Sequence, residues 1–359
     1  MVKYILGIES TAHTFGVAVL DFNGKILSNV KDSYTTKEGG MIPIEVRKHH
    51  IKVSDRLFEE ALAESSKDDP AGPAGIKENI EAIAFSNAPG LAPCLLEGMK
   101  FAKETARGLG VPLVMVNHCV SHLEIGETVG AKDPVMLYAS GANTQIIAYE
   151  AGKYRVFGET LDLGVGNFID TIGRYMGLGF PAGPKIQKLA EEYLESEACK
   201  GVPSLGDSLN LDVKTGKLIE LPYSIKGMDV AFSGLQTKIK TLIDKGGDKS
   251  EIAYSMQEVV FAMLVEAAER ALAHTGKKEL LLGGGVACNL RLQEMCKIMC
   301  DERGVKYFCP DRSLLVDNAG MIGYLGLKMY KVGLGTRDYD SVDIAPRERT
   351  DEVEVSWKN

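Results

Sequence analysis

Two histidines lie four positions apart in the stretch VNHCVSHLE, which covers residues 116–124. On a helix this spacing puts His118 and His122 on one face, where both imidazoles can bind the same metal ion. The zinc-peptidase pattern H-E-x-x-H needs a glutamate directly after the first histidine to activate the metal-bound water, but Cys119 occupies that position. The pair therefore indicates either a metal site without the peptidase base or a coincidental pair on a surface.

Small polar residues form the turns of two similar hairpins. Residues 4–27 and residues 135–160 both read as an apolar strand, a small-polar turn, a second strand and a further turn that contains glycine. The first turn of each copy exposes backbone N–H groups and short hydroxyls that can hold phosphate oxygens. One hairpin of this kind is often only a tight turn, but two in the same layout favour a phosphate-binding cleft.

Each hairpin is followed by the same series of elements, namely strand, loop, helix and strand. The series after the first copy is EAIAFS, NAPGLAP, CLLEGMKFAKETARGL and PLVMVN, and after the second it is ELLLG, GGVACN, LRLQEMCKIMCDERG and VKYFCP. This repeat predicts a duplicated α/β fold with two lobes and a central cleft. We expect a first lobe at 1–125 and a second lobe at 126–319 with an insertion at about 191–228. A segment at about 320–359 should pack back on the first lobe.

Composition limits the class of protein and its partners. The chain has 359 residues, a net charge of -8 and seven cysteines, none in a C-x-x-C pair, which favours a reducing compartment. The first residues lack the features of a signal or transit peptide, and no stretch approaches the roughly 18 apolar residues of a membrane helix. We therefore expect a cytoplasmic protein. The acidic balance disfavours a free-standing nucleic-acid binder. The best basic patch is the cluster at 47–52, which is more often a solvated helix face.

Seven motifs occur in the order and spacing of one enzyme family. They are VNHCVSHLE, LYASGANTQ, DLGVGNFID, FPAGPKI, DVAFSGLQT, LLGGGVACN and DNAGMIGY. As a set they resemble the universal tRNA threonylcarbamoyladenosine-forming transferases, and the duplication resembles the actin and sugar-kinase superfamily. The ending PRERTDEVEVSW resembles the archaeal and eukaryotic branch, the catalytic subunit of the KEOPS complex.

The resemblance implies a metal site and a nucleotide site. The family's metal ligands correspond to His118, His122, Tyr138 and Asp317, a mixed N/O set suited to one iron or zinc ion per chain. Its nucleotide and acyl contacts correspond to Tyr138, Ala139, Ser140, Gly141, Ala142, Asp170, Gly183, Gln187 and Asn289. The expected nucleotide is threonylcarbamoyl-AMP, ATP or AMP. Glu9, in the first turn, is the carboxylate that we expect to guide the attacking amine, unless it only orients the turn.

Three positions depart from the family pattern. Ala142 stands where a second glycine is usual, which predicts a slightly displaced phosphate turn. Gln187 replaces a usual glutamate and so keeps a hydrogen bond to ribose without the charge. The order of Ala319 and Gly320 is reversed, which should leave the ligand Asp317 intact. Ser233 is expected either near the cleft mouth or as a loop cap.

The implied reaction transfers the threonylcarbamoyl group from threonylcarbamoyl-AMP to the N6 amine of the adenosine just after the anticodon, in tRNAs that read ANN codons. The implied partners are tRNA and KEOPS subunits, including a small kinase-like ATPase and a dimerising accessory subunit. A sugar-kinase-like phosphotransferase or ATPase would share the cleft but would not need His118 and His122. A metallopeptidase would need the missing glutamate.

Overall fold

The computed structural model describes residues 2–36, 40–67, 72–196 and 216–358. Two five-stranded sheets, one in each lobe, form its framework. The first sheet has the order β3-β2-β1-β4-β5. Its strands are β1 (Tyr4–Glu9), β2 (Thr14–Asp21), β3 (Ile26–Ser33), β4 (Ile80–Ala88) and β5 (Leu113–Asn117).

The second sheet repeats this arrangement with the order β12-β11-β6-β7-β8. Its strands are β6 (Val135–Ala139), β7 (Thr144–Glu150), β8 (Lys153–Glu159), β11 (Glu279–Gly283) and β12 (Lys306–Phe308). In both sheets the first three strands form antiparallel hairpins, and the later two add in parallel beside the first strand. A short separate hairpin joins β9 (Ile225–Lys226) to β10 (Asp229–Val230). The repeated strand order confirms the predicted duplicated α/β fold.

Helices cover the sheets and connect the parallel strands. They are α1 (Pro43–Ser65), α2 (Gly72–Glu78), α3 (Ala92–Leu109), α4 (His118–Glu124), α5 (Val165–Tyr175), α6 (Gly183–Glu195), α7 (Ser233–Asp244), α8 (Lys249–Thr275), α9 (Leu290–Arg303), α10 (Arg312–Leu315) and α11 (Ala319–Lys331). Short 3-10 turns lie at Ile125–Val129, Gly285–Cys288 and Thr350–Glu352. Part of the predicted insertion, 197–215, lies outside the described residues.

The helix α11 returns from the second sheet to the first and packs on β1, β2, β4 and β5. The approach is close because two glycines leave room for it. A Cβ atom at Gly7 would lie 2.2 Å from the carbonyl oxygen of Ala319, and one at Gly326 would lie 2.1 Å from the Cβ of Ala84. A shared hydrophobic core that includes Ile5, Tyr138 and Leu325 then joins the two lobes beneath their junction.

Candidate functional site

The helix α4 carries the two histidines and begins where β5 ends. Asn117 caps it, because its side-chain oxygen accepts hydrogen bonds from the N–H groups of Cys119 (3.0 Å) and Val120 (3.2 Å). One helical turn then separates His118 from His122, and their ring centroids lie 4.9 Å apart. Both rings are buried at the junction of the lobes, which argues against a coincidental surface pair.

Asp317 brings a carboxylate to the same point from the segment between α10 and α11. Its Oδ1 atom lies 3.3 Å from Nε2 of His118 and 3.7 Å from Nε2 of His122. One donor atom from each of these three residues lies within 4.8 Å of the others. The strand β3 holds this segment, since Nζ of Lys31 donates to the carbonyl oxygen of Asp317 (3.2 Å) and Asn29 accepts from the N–H group of Gly320 (3.1 Å).

The protonation states of His122 and Asp317 suit a metal ion. Both ring nitrogens of His122 are buried without a hydrogen-bond partner among the described residues, and 3.7 Å is too long for a bond to Asp317. Burial lowers the pKa of His122, which favours the neutral imidazole that binds metals. Burial opposes ionisation of Asp317, but the neighbouring His118 outweighs it and holds the pKa of Asp317 well below its usual range. A buried orphan nitrogen beside an ionised carboxylate is a fitting place for a cation.

Tyr138 completes the predicted ligand set from β6. Its buried ring lies 5.0 Å from that of His122, measured between centroids. Burial, followed by the influence of Cys119 and Asp317, raises the pKa of Tyr138 well above its usual range. Tyr138 is therefore a neutral phenol in the protein alone, and it would need the charge of a bound cation to release its proton.

Glu9 lies behind His118, on the side away from the other ligands. Its Oε2 atom is 3.0 Å from Nδ1 of His118, while Oε1 accepts from the N–H group (2.7 Å) and the hydroxyl of Thr11. Glu9 has no exposed surface, which favours the alternative that it orients the turn over the expectation that it guides an attacking amine. Its bond to Nδ1 leaves Nε2 of His118 directed at Asp317, the arrangement in which a carboxylate orients a metal-binding histidine.

The turn between β1 and β2 also differs from the expectation. Ser10 and Thr11 are buried, and the N–H group of Leu91 donates to the carbonyl oxygen of Thr11 (2.8 Å). A Cβ atom at Gly98 would lie 1.8 Å from the hydroxyl of Ser10, which shows how closely α3 covers this turn. The prediction that these hydroxyls face a phosphate was wrong, because the segment after β4 and the start of α3 cover them.

The turn between β6 and β7 is open, as predicted. Gly141 and Ala142 are exposed, and Ser140 closes the turn through its N–H group, which donates to Asn143 (2.9 Å). The start of α5 supports it from below, since the N–H groups of Gly166 and Asn167 donate to the carbonyl oxygens of Ser140 (3.0 Å) and Gly141 (2.8 Å).

Glycines make the close packing under this open turn possible. A Cβ atom at Gly164 would lie 2.5 Å from the backbone of Ala142. Gly284 has a φ of +90°, and a Cβ atom there would lie 2.4 Å from the carbonyl oxygen of Ala139. The glycine-rich stretch after β11 therefore fixes the position of the turn rather than only forming a bend.

The remaining predicted contacts lie around α6 and α9. Asp170 accepts a hydrogen bond from the N–H group of Ala182 (2.7 Å), and burial raises its pKa. Gly183 is the first residue of α6, and a Cβ atom there would meet nothing within 4 Å. Asn289 caps α9 and donates through Nδ2 to Gln257 (2.7 Å). Its amide is therefore also structural.

A cavity of about 440 Å³ lies between α6, α8 and α9, close to Asn289. Gln187 is on its wall together with Gln257, Glu258 and Arg291. Both oxygens of Glu258 accept from the guanidinium of Arg291, at 2.8 and 2.7 Å. Sequence reasoning did not identify these last three residues, because none belongs to a pattern that marks a site. Ser233 is exposed at the start of α7, and its N–H group donates to Asp162 (2.8 Å), which supports the loop-cap interpretation.

In the basic cluster at 47–52, three residues have acidic partners and one is buried, while Lys52 is exposed. Arg47 pairs with Glu97 (3.2 Å), Lys48 with Glu45 (2.8 Å) and His49 with Asp32 (3.2 Å), while His50 is buried. The cluster therefore offers little unpaired positive charge to a nucleic acid, which weakens the hypothesis that it forms a nucleic-acid patch. Across the described ranges, no helix has the length and apolar character that a membrane span needs.

Comparison with known proteins gives one family. The family model for tRNA N6-adenosine threonylcarbamoyltransferase matches residues 25–324. A protein of that name from Thermococcus kodakarensis is 46% identical over 354 residues, which cover 98% of this chain and 99% of the relative. A "probable bifunctional tRNA threonylcarbamoyladenosine biosynthesis protein" from Methanosarcina mazei is 44% identical, and the match covers 99% of this chain but 59% of the relative.

Solved structures of low sequence identity share the fold. HypF from T. kodakarensis matches with a TM-score of 0.54 at 16% identity, covering 94% of this chain and 49% of that one. The activator of 2-hydroxyisocaproyl-CoA dehydratase from Clostridium difficile matches with a TM-score of 0.51 at 9% identity, covering 95% of this chain and 99% of that one. These proteins confirm the actin-like fold class. The family match does not favour the alternatives of a phosphotransferase or a metallopeptidase. The chain belongs to the family of tRNA N6-adenosine threonylcarbamoyltransferases.

Proposed function

We propose that this transferase moves the threonylcarbamoyl group of threonylcarbamoyl-AMP to the N6 amine of the adenosine just after the anticodon, in tRNAs that read ANN codons. The lone pair of N6 attacks the carbamoyl carbon, the bond from that carbon to the phosphate oxygen breaks, AMP leaves and the amine loses one proton. Because adenylate is already a good leaving group, the protein mainly has to position the reactants and stabilise charge.

One observation carries this proposal: the open turn follows directly on the strand that carries one member of the metal corner, which is the group His118, His122, Tyr138 and Asp317. Tyr138 lies on β6, and Ser140 comes two residues later, just after β6 ends, a spacing of about 7 Å for extended chain. That separation suits a donor whose acyl end is at the metal corner and whose phosphate is at the turn 140–143. Exposed N–H groups of Gly141 and Ala142 are suitable phosphate donors.

The metal corner would consist of His118, His122, Tyr138 and Asp317, with one iron or zinc ion. When bound, such an ion supplies Lewis-acid chemistry at a carbonyl oxygen. Glu9 keeps His118 oriented, and β3 keeps Asp317 in place. Asp170, Gly183, Gln187 and Asn289 would hold the adenosine end, with Gln187 and Asn289 beside the cavity between α6 and α9.

The partners that we propose are tRNA and KEOPS subunits, including a kinase-like ATPase and a dimerising subunit. The charge of -8 and the partly neutralised cluster at 47–52 support this proposal, because tRNA binding needs a positive field that this surface lacks. The Methanosarcina relative, named as bifunctional, is longer than this chain, which is consistent with a fused partner activity. Since tRNA is the substrate, we place the activity in the cytoplasm.

The test is mass spectrometry of tRNA nucleosides after incubation with the chain, threonylcarbamoyl-AMP and the candidate partners. We expect threonylcarbamoyladenosine from the complex, little from the chain alone and none from a complex that carries His122→Ala. Equal yields from the chain and the complex would contradict the need for partners. A fully active His122→Ala complex would contradict the role of the metal corner.

A further inference from the structure

The stretch at 345–358, here called the strap, runs from the first lobe to the second along α4. It begins beside β4, where the N–H group of Ala345 donates to Asn87 (2.9 Å) and the carbonyl oxygen of Pro346 accepts from Gly90 (3.2 Å). Further on, Arg349 pairs with Glu159 of β8 (3.3 Å). The strap therefore contacts the first sheet at one end and the second sheet at the other.

At the start of α4, the strap contacts the residue that caps this helix. Oε2 of Glu348 accepts a hydrogen bond from Nδ2 of Asn117 (2.8 Å). This bond fixes the amide with its oxygen towards α4, where it accepts from Cys119 and Val120. The carboxylate of Glu348 and the two N–H groups of α4 select the same orientation of the amide, so Glu348 reinforces the cap.

At the end of α4, the strap supplies a positive charge to a buried carboxylate. Glu124 has no exposed surface, and Nζ of Lys358 lies 3.1 Å from its Oε1 atom. Lys328 and the hydroxyl of Tyr154 also contact Glu124. A buried carboxylate is tolerated only when such partners compensate for its lost hydration.

Apolar and ring contacts anchor Lys358 in this position. The side chain of Trp357, which is 8% exposed, packs in the core shared by the lobes, together with that of Val355. The ammonium of Lys358 lies 5.1 Å from the ring centroid of Tyr149 and 5.3 Å from that of Tyr154. The end of the strap is thus a packed structure and not a loose tail.

We propose that the strap is a positioning element for the metal, in which Glu348 and Lys358 hold the two ends of α4. A helix of seven residues has little stability of its own, so its ends determine where its side chains lie. Correct placement of α4 keeps Nε2 of His118 and Nε2 of His122 beside Asp317. This inference rests on the metal site of the proposed function and adds two residues, one within the ending PRERTDEVEVSW, to which the sequence motifs assign no role.

The test measures zinc affinity by competition with a chelator, using the full chain. We expect about tenfold weaker zinc binding in the double variant Glu348→Ala with Lys358→Met, as for loss of other groups that orient metal ligands. The matched control is Asp340→Ala with Lys331→Met. Asp340 pairs with Arg107 and Lys331 donates to Phe22, so neither contacts α4.

Additional variants separate positioning from general stability. Each single substitution is measured beside the double variant, so a comparison remains if the double variant does not fold. Lys358→Arg retains the charge and should bind zinc like the wild type. A lower Tm with zinc affinity equal to that of the control would overturn the inference. Failure of the wild type to bind zinc or iron would overturn the metal site as well, whereas equal affinities in wild type and all variants would overturn the strap inference alone.

Discussion

The turn between β1 and β2 and the turn between β6 and β7 occupy equivalent places in two sheets of the same strand order, but their surroundings differ. In the first turn, Ser10 and Thr11 are buried, and Thr11 donates to Glu9, which orients His118. In the second turn, Gly141 and Ala142 are exposed and can offer N–H groups to a ligand. One turn supports the predicted metal ligand His118 from behind, and the other is exposed where we propose that the nucleotide binds.

Neighbouring segments cause this difference, not the hairpins themselves. The residues after β4 and the start of α3 lie over the first turn, where the N–H group of Leu91 donates to Thr11 and Gly98 approaches Ser10. Among the described residues, the second turn is supported at the start of α5, at Gly284 and through Asn143, which donates to Cys119, while Gly141 and Ala142 stay exposed. A duplicated framework therefore supplies two equivalent positions, and the segments that pack on each position decide its role.

The largest expected effect tests the metal corner. His122→Ala should reduce bound metal from about one ion per chain to none, because it removes the ligand whose nitrogens lack a protein partner. His274→Ala is the matched control, since His274 is exposed and far from α4 in the chain. Elemental analysis of purified protein measures the outcome. Normal metal content in His122→Ala would remove the basis for assigning different roles to the two turns.

The next effect tests the open turn. Gly284→Ala should weaken binding of AMP tenfold or more, because the new Cβ would displace Ala139 and the turn that follows it. Gly152→Ala provides the control: Gly152 also has a positive φ (+81°), but a Cβ there meets nothing within 4 Å. Calorimetric titration with AMP measures both variants. If the metal content fell together with AMP affinity in Gly284→Ala, the two sides of the cleft would not be separable.

A moderate effect is expected at the first turn. Glu9→Gln should weaken metal binding about tenfold, because an amide orients His118 less strongly than a carboxylate does. Affinity for AMP should stay unchanged, the reverse of the result at Gly284. Glu97→Gln is the control, a nearly buried carboxylate that pairs with Arg47 instead. Chelator competition gives the metal affinity, and weaker AMP binding in Glu9→Gln would show that the first turn also contacts the nucleotide.

The smallest effect concerns how the free energy of unfolding changes with pH in acid. Burial, followed by the charges of His49 and His13, lowers the pKa of His50 to about 3. An unfolded histidine takes up its proton near pH 6.5. Between these values the unfolded chain binds more protons, so stability falls as the pH drops from about 6.5 towards 3. His50→Leu should reduce this slope by about 1 kcal/mol per pH unit.

Urea unfolding at pH 7, 6, 5 and 4 measures that slope. His274→Leu is the control, because it replaces an exposed histidine with the same residue. Parallel stability curves for wild type and His50→Leu would contradict the prediction.

Local patterns predicted the elements that depend on local sequence. The alternation of strands and turns predicted both sheets, and the spacing of His118 and His122 predicted that their rings lie side by side, because four residues make about one helical turn. The family motifs added Asp317 and Tyr138, and the structure places Asp317 beside both histidines and Tyr138 beside His122. Their roles as ligands remain predictions until metal is measured.

The features that sequence reasoning missed depend on residues far apart in the chain. Arg47 meets Glu97, and His49 meets Asp32, so the basic cluster is partly neutralised by charges that are not its neighbours in sequence. Glu348 reaches Asn117 across 231 positions. No periodicity or motif encodes such pairs, since they arise only when separate elements pack together.

The predicted metal ligands also belong to different parts of the fold. His118 and His122 follow the first sheet, whereas Tyr138 is a strand residue of the second. The visible spectrum of Co²⁺ depends on the number and geometry of its ligands. In a cobalt-loaded protein, any hinge motion between the lobes would change the distance from Tyr138 to the imidazoles and therefore the colour. The absorption spectrum of the bound Co²⁺ would then report how far the cleft is open, and it could be recorded during turnover without an attached dye.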